Sequence, residues 1–318
     1  MLSTDDIRSE LNNTLERTDL GIGERHEGKV RDSYVLAGKR ILVTTDRLSC
    51  FDKIVGTVPF KGQVLNQMAA YWFAETEGVI RNHLLEVPDP NVMVVKECVP
   101  LPVEVIVRGY ITGSLWRDYA SGKRNMYGLR FPEGLAKDEQ LPEPIITPTT
   151  KALHGAHDIP ISKDEILRRR ICMPKSWERV EEAALGLYRK ANEVLAERNL
   201  ILVDTKYEFG TLGKSVVLMD EIHTPDSSRY WYRDSFFDLF REGKDQKSMD
   251  KEFVRQWLLG QGFSGDGIPP KLPDEIKIEA ARRYIEVFEQ ITGQEFKREK
   301  GAVLERIRKR LAPYLKRK

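Results

Sequence analysis

The chain has 318 residues, 41% of them hydrophobic and 31% charged, with a formal net charge of +2. That length suits about two domains, and that balance excludes a disordered or collagen-like chain. No apolar run approaches the roughly 20 residues of a membrane-spanning helix, and the opening Met1–Asp6 stretch lacks the basic and apolar regions of a secretory leader.

In chain order, residues 5–18 read as a short opening helix, and 29–36 and 40–45 as strands joined at Ala37-Gly38, so the chain begins with a hairpin. Helical spacing and good helix formers mark 63–77. Strand-like runs follow at 92–97 and 103–108, interrupted by Pro100 and Pro102, which break a regular ladder and suggest a hinge between two lobes. The Gly- and Pro-rich stretch 121–150 reads as loop. Ser162-Lys163-Asp164-Glu165 is a capping-box pattern opening a helix, and 176–198 is amphipathic, with Val180, Ala183, Ala184, Leu187, Ala191 and Val194 at helical spacing. Two strands, 199–208 and 215–222, flank a turn containing Gly210 and Gly213, and helices close the chain near 249–259, 273–291 and 301–312. Strands first, mixed elements next and helices last predict an α+β protein.

Charge is unevenly spread. Residues 297–318 hold ten Lys and Arg against Glu299 and Glu305. Without interleaved aromatic residues this basic tail does not resemble a nucleic-acid binder. It reads as a solvated helix with Val303, Leu304, Ile307 and Leu311 facing inward. Cys50, Cys98 and Cys172 form no C-x-x-C pair and the histidines no H-E-x-x-H helix, so neither a zinc site nor a disulfide framework is expected, and a cytoplasmic location fits.

The most informative segment is Leu202–Gly210. Strand alternation puts Asp204, Lys206 and Glu208 on one face and Val203, Thr205 and Tyr207 on the other. Three charges beside an apolar run are costly unless that face meets solvent or a charged ligand. The next run, Val216–Glu221, also ends in carboxylates. Paired as a hairpin, the two strands let Glu208 and Asp220 hold a divalent cation; a salt-bridged edge hairpin is the other reading. Arg229, in a Pro-Asp-Ser-Ser turn, suits a phosphate or carboxylate. Gly28-Lys29-Val30-Arg31 is a glycine hairpin with alternating cations that can lie over nucleotide phosphates, although it is no Walker A loop. Arg108 and Ser114 flank a Gly-bounded turn suited to an anion. Thr149-Thr150-Lys151 and His157-Asp158 form a polar cluster in the middle loop.

Together these segments resemble the phosphoribosylaminoimidazole-succinocarboxamide synthase (SAICAR synthetase) family. The matching pieces are Gly28–Asp32, Thr45–Asp52, Lys61–Asn66, Val107–Ser114, Lys151 with Gly155–Asp158, Asp204–Gly210 and Asp220–Trp231, in the family's order. The resemblance implies ATP-dependent joining of L-aspartate to the carboxylate of CAIR (a carboxylated aminoimidazole ribonucleotide), giving SAICAR, ADP and phosphate through an acyl-phosphate-type intermediate. It also implies a two-lobed α+β fold with a kinase- or ATP-grasp-like cleft: a β-rich ATP-covering lobe over 1–102, a central lobe over 103–265 and a C-terminal helical segment over 266–318. On that analogy Glu208 and Asp220 hold Mg2+, and Lys29, Arg31 and Glu104 join them around ATP, with 95–104 as the adenine hinge. Arg108, Ser114, Ser228 and Arg229 meet the ribonucleotide phosphate, Lys151, His157 and Asp158 the carboxylate substrates, and Asp204, Lys206 and Arg229 are the candidate catalytic groups. The implied partners are these small molecules, with no nucleic acid or membrane, in a monomer or homodimer. A small-molecule kinase and a nucleotide-binding regulatory module are the competing readings.

Overall fold

The computed structural model describes residues 2–151, 159–249 and 252–315. Helix α1 (Thr4–Arg8) is closed by a reciprocal cap between Ser3 and Asp6. It stops at Arg8, well short of residue 18. Asn12, Asn13 and Thr14 are weak helix formers, and Leu15 is held elsewhere by its N–H, which donates to Asp46 Oδ2 at 2.7 Å.

Strands β1 (Glu24–Glu27), β2 (Arg31–Leu36) and β3 (Lys39–Thr44) are followed by a small hairpin of β4 (Arg47–Cys50) and β5 (Lys53–Thr57). Helix α2 (Lys61–Glu75), β6 (Leu84–Asp89) and β7 (Val92–Lys96) complete the first half. The sheet order is β1-β2-β3-β7-β6, antiparallel throughout. Both faces are buried, as the alternation of side chains requires. Leu42, Met93 and Val95 join the core around α2, while Ile41, Val43, Val92 and Val94 form a second cluster.

The second half runs β8 (Val99–Tyr110), α3 (Gly113–Ala120), β9 (Asn125–Met126), β10 (Leu129–Arg130), β11 (Gln140–Ile146), β12 (Thr149–Thr150), α4 (Lys163–Arg168) and α5 (Pro174–Ala196). Then come β13 (Leu200–Leu212), β14 (Ser215–Met219), β15 (Ser228–Tyr232), α6 (Arg233–Arg241), α7 (Glu252–Gly260), α8 (Asp274–Thr292), α9 (Val303–Arg310) and α10 (Ala312–Leu315). A sheet in the order β11-β8-β13-β14, with β12 on β8 and β15 on β13, has α5 packed on it through Ala183, Ala184, Leu187 and Ala191. Ser162 caps α4 by accepting the Glu165 N–H.

Several sequence expectations change here. β8 continues through Pro100 and Pro102, because the ladder to β13 already shifts register between Glu208 and Gly210, where a missing N–H costs little. The stretch 121–150 contains edge strand β11, whose Pro142 and Pro144 lie in its own register shift between Gln140 and Ile145. The turn after His223 ends at Ser227, so Arg229 projects from β15. Gly210 lies within β13; the turn glycine is Gly213, at φ 61°.

The two sheets are tied twice. The chain crosses at Glu97-Cys98, between β7 and β8, where Arg40 holds Glu97 in a bidentate pair at 2.7 and 2.8 Å. Residues 81–83 run beside β14: the His83 N–H donates to Leu218 O and the Leu218 N–H to Arg81 O.

The basic C-terminal helix packs as its apolar spacing predicts. Val303, Ile307 and Leu311 are buried against Tyr34, Ile41 and Val43 with Leu304 alongside, and Arg306 pairs with buried Asp89 at 2.9 Å. Replacing Ile307 by Ala should lower the unfolding free energy by about 2–5 kcal/mol, whereas Lys309→Ala, on the exposed face, should change it by less than about 0.5 kcal/mol. Urea denaturation of both variants measures the contrast.

Candidate active site

A cleft of about 310 Å³ opens where the two sheets meet, lined by Gly28–Arg31 on one side and by Lys151, Glu208 and Asp220 on the other. Leu42, Val95, Cys98 and Pro100 make its apolar end. The Gly28 N–H donates to Arg31 O at 2.8 Å, closing a tight turn between β1 and β2. Lys29 therefore sits at the turn's tip, paired with Asp52, and not on the strand face shared with Arg31 that the sequence suggests. Arg31 opens β2 and reaches Asp220 at 2.6 Å and Glu221 at 3.3 Å.

The turn rests on a buried arginine that the sequence reading gave no role. Arg47, 2% exposed, donates to Gly28 O and Lys29 O and pairs with Asp32 at 2.8 Å. The signal was a charged pair, Asp46-Arg47, inside an otherwise strand-like run. Lys61, fully buried, pairs with Asp226 at 2.8 Å, and the Tyr284 hydroxyl donates to the same carboxylate, fixing the loop that leads into β15. No local pattern reveals that contact, which spans 165 residues.

The polar face of β13 is completed by its neighbours. In the antiparallel ladders Asp204 stands opposite Arg108 of β8 and Arg229 of β15. Directly opposed residues share a face, so an arginine–aspartate–arginine row crosses three strands, with both guanidinium groups 3.2 Å from Asp204 Oδ2. Arg108 also donates to Thr147 Oγ1 at 2.9 Å and Ser114 Oγ at 3.2 Å. Gly113 turns the chain here with φ 58°; a Cβ on it would come within 2.7 Å of the Arg229 guanidinium. Ser228 bonds Thr205 Oγ1 at 2.8 Å, beneath the row. Val203 leaves the face expected for it, because β13 shifts register beside it, and packs with Tyr110, Ile201 and Trp231.

Two rows along, Glu104 stands opposite Glu208. Like charges facing each other are unfavourable. Lys206 bridges them, 2.6 Å from Glu104 and 3.9 Å from Glu208. Burial would lower the Lys206 ammonium, but the Glu104 and Glu208 carboxylates outweigh it and hold it above the usual lysine range. Lys151 pairs with Glu208 at 2.6 Å. Burial, then the Asp220 charge, push Glu208 up. Burial also opposes ionisation of Asp220, but Arg31, Lys206 and Lys151 prevail and keep its pKa low. Asp220 adopts φ 68°, uncommon for a non-glycine residue.

Glu208 and Asp220 thus share the cleft as β13 and β14 pair, Glu208 opposite Met219. Among the described residues no cluster of three or more His, Cys, Asp or Glu could hold a metal. Two carboxylates suit Mg2+, which uses one or two and completes its shell with substrate oxygens and water. His157 and Asp158 lie outside the described residues.

The Lys206 bridge carries a pH signature. In Lys206→Met the facing glutamates lose the cation between them; Glu208, already pushed up by burial and by Asp220, moves further above its unfolded value, and ionising it destabilises the fold. The stability deficit relative to wild type should widen as pH rises from about 5 to about 8. Melting temperatures across that range test this, and a pH-independent difference contradicts the bridge.

Comparison with known proteins gives the same assignment. A sequence profile described as SAICAR synthetase matches residues 24–269. A phosphoribosylaminoimidazole-succinocarboxamide synthase of Bacteroides thetaiotaomicron is 46% identical, covering 95% of this chain and 98% of that one. One from Legionella pneumophila is 46% identical over 89% and 92%. Among solved structures, a SAICAR synthase from Saccharomyces cerevisiae complexed with SAICAR aligns with TM-score 0.79 and 34% identity, covering 89% of this chain and all of that one. A SAICAR synthetase in complex with ADP aligns with TM-score 0.67 and 25% identity, over 86% and all of the respective chains. The cleft, its rows of paired charges and these matches agree: the chain belongs to the SAICAR synthetase family.

Proposed function

We propose that the cleft between the two sheets is where this ATP-dependent ligase of purine biosynthesis joins L-aspartate to the carboxylate of CAIR, with Glu208 and Asp220 holding Mg2+. The observation that carries the assignment is the convergence of the Gly28–Arg31 turn on Glu208 and Asp220 across one cavity. Lys29 and Arg31 meet the ATP phosphates, and the apolar end beside Cys98 and Pro100 takes the adenine. Glu104 lies on the same β-strand that leaves this hinge and takes the ribose. The pair of arginines on Asp204, with Ser114, forms the seat of the ribonucleotide phosphate, and Ser228 supports it from beneath through Thr205. Lys151, beside Glu208, meets a substrate carboxylate, and His157 and Asp158 follow it in the chain.

A carboxylate is a poor electrophile. In the first step a CAIR carboxylate oxygen attacks the γ-phosphorus and the bond to the β-phosphate oxygen breaks, leaving ADP and an acyl phosphate. The aspartate amine then attacks the acyl carbon, phosphate leaves with the electron pair of the C–O bond, and the amine proton passes to solvent. When bound, Mg2+ neutralises charge on the transferring phosphoryl group. The chain's part is to place three polyanions together. Arg31, Lys29 and Lys206 oppose the charge that develops during transfer, and Asp204 keeps Arg108 and Arg229 aligned until phosphate replaces it. Lys206, Asp204 and Arg229 act by charge and position, with no covalent enzyme intermediate.

Purified protein with ATP, Mg2+, CAIR and L-aspartate should release ADP and form SAICAR only in the complete mixture. ADP release with a phosphorylated product and no need for aspartate establishes a small-molecule kinase instead. Glu208→Gln and Asp220→Asn should each lower turnover by roughly 10²–10³-fold while ADP still binds without metal. Arg229→Ala should raise KM for CAIR by roughly 10–100-fold, as loss of a charge-assisted phosphate contact costs about 1.5–3 kcal/mol, with KM for ATP unchanged.

A further inference from the structure

Behind Asp220 lies a small internal cavity of about 10 Å³, lined by Arg31, Thr44, Asn66 and Asp220 with Leu42 and Met93. That is the room for one water molecule. Asn66, on α2, is 3% exposed; its Oδ1 accepts from Thr44 Oγ1 at 3.3 Å. Its Nδ2 is fully buried and meets no protein acceptor. An unmet amide donor in the interior is costly, and buried waters relieve such groups when they find two to four polar partners. Asn66 and Arg31 carry N–H donors and Asp220 a carboxylate acceptor, and all three line this cavity.

We propose that a single trapped water joins the Asn66 amide to the Asp220 carboxylate, making Asn66 the positioning residue of the metal site. Arg31 holds Oδ2 of Asp220 from one side. Asp220 sits on strained backbone at the end of β14, so a second tether is what selects one carboxylate orientation. Groups behind a metal ligand typically change metal affinity by roughly 10–100-fold. Asn66 thereby couples α2 of the first half to the carboxylate carried by the second. The inference rests on Asp220 as a magnesium ligand, and the test separates the two.

The probe is ADP binding by calorimetry with and without Mg2+, in the full chain. Asp220→Asn must first abolish the gain that Mg2+ gives; if it does not, the metal assignment fails and the water is not at issue. Asn66→Leu fills the cavity with an apolar side chain of similar size. It should leave metal-free ADP binding and the melting temperature near wild type while weakening the Mg2+-dependent gain by roughly tenfold. Asn66→Ser, which keeps a donor and leaves room for a second water, should restore most of it. A folded Leu variant with wild-type Mg2+ dependence overturns the proposal. Should that variant not fold, a crystal structure of the wild type at a resolution that orders water decides. Density within hydrogen-bond distance of both Asn66 Nδ2 and Asp220 supports the bridge, and an empty or apolar-lined position refutes it.

Discussion

Five carboxylates, Glu104, Asp204, Glu208, Asp220 and Glu221, lie close together between two sheets, and everything in the cleft depends on keeping them apart electrostatically. At low dielectric, like charges a few ångströms apart are strongly unfavourable. The structure answers with Arg31, Lys151, Lys206, Arg108 and Arg229, each within hydrogen-bond or ion-pair reach of one or two of the acids. The contacts of Arg108, Arg229 and Lys206 are cross-strand, so β-pairing fixes those charges, while Arg31 reaches across from the other sheet and Lys151 from the segment after β12. Rigid placement of this kind suits catalysis of phosphoryl and acyl transfer, where the protein's contribution is to be ready before charge develops.

This arrangement also accounts for selectivity between sites. The Asp204 row sets one carboxylate against two guanidinium groups and so carries excess positive charge. The Glu104–Lys206–Glu208 row, together with Asp220 and Glu221, sets four carboxylates against Lys206, Lys151 and Arg31, leaving one acid in excess. Two rows of the same β8–β13 ladder thus carry opposite charge balance. Breaking a buried pair is costlier than never having formed it, which ties the shape of each seat to the integrity of the sheet.

The sheets are not independent lobes on a single hinge. Glu97-Cys98 links them covalently, but residues 81–83 extend β14 from the other side and α2 presents Asn66 behind Asp220. The C-terminal helices complete the tie: α8 carries Tyr284 to Asp226, and α9 covers the back of the first sheet. The basic tail is a packing element, and among its described residues Arg298 pairs with Asp6, Arg306 with Asp89, and Arg310 with Asp89 and Glu299.

The sequence by itself determined the chemistry on each segment. Period-two alternation in Asp204–Glu208 shows a charged strand face, the carboxylates after Val216–Met219 show an acidic strand end, and the apolar spacing of 303–311 shows a buried helix edge. It also determined the family, because those segments occur in order. Local patterns failed where long-range contacts override them. Pro100 and Pro102 read as a break but lie in a strand, because a bulge 110 residues away removed the need for their N–H groups. Asn13 and Leu15 ended the first helix because Leu15 is needed at Asp46. Only the tertiary structure decided which charges face which. The row Arg108–Asp204–Arg229, the support of Gly28 by Arg47 and the Lys61–Asp226 pair join residues 19 to 165 positions apart. No window of sequence encodes those pairings, since register and burial across strands are properties of the folded chain alone.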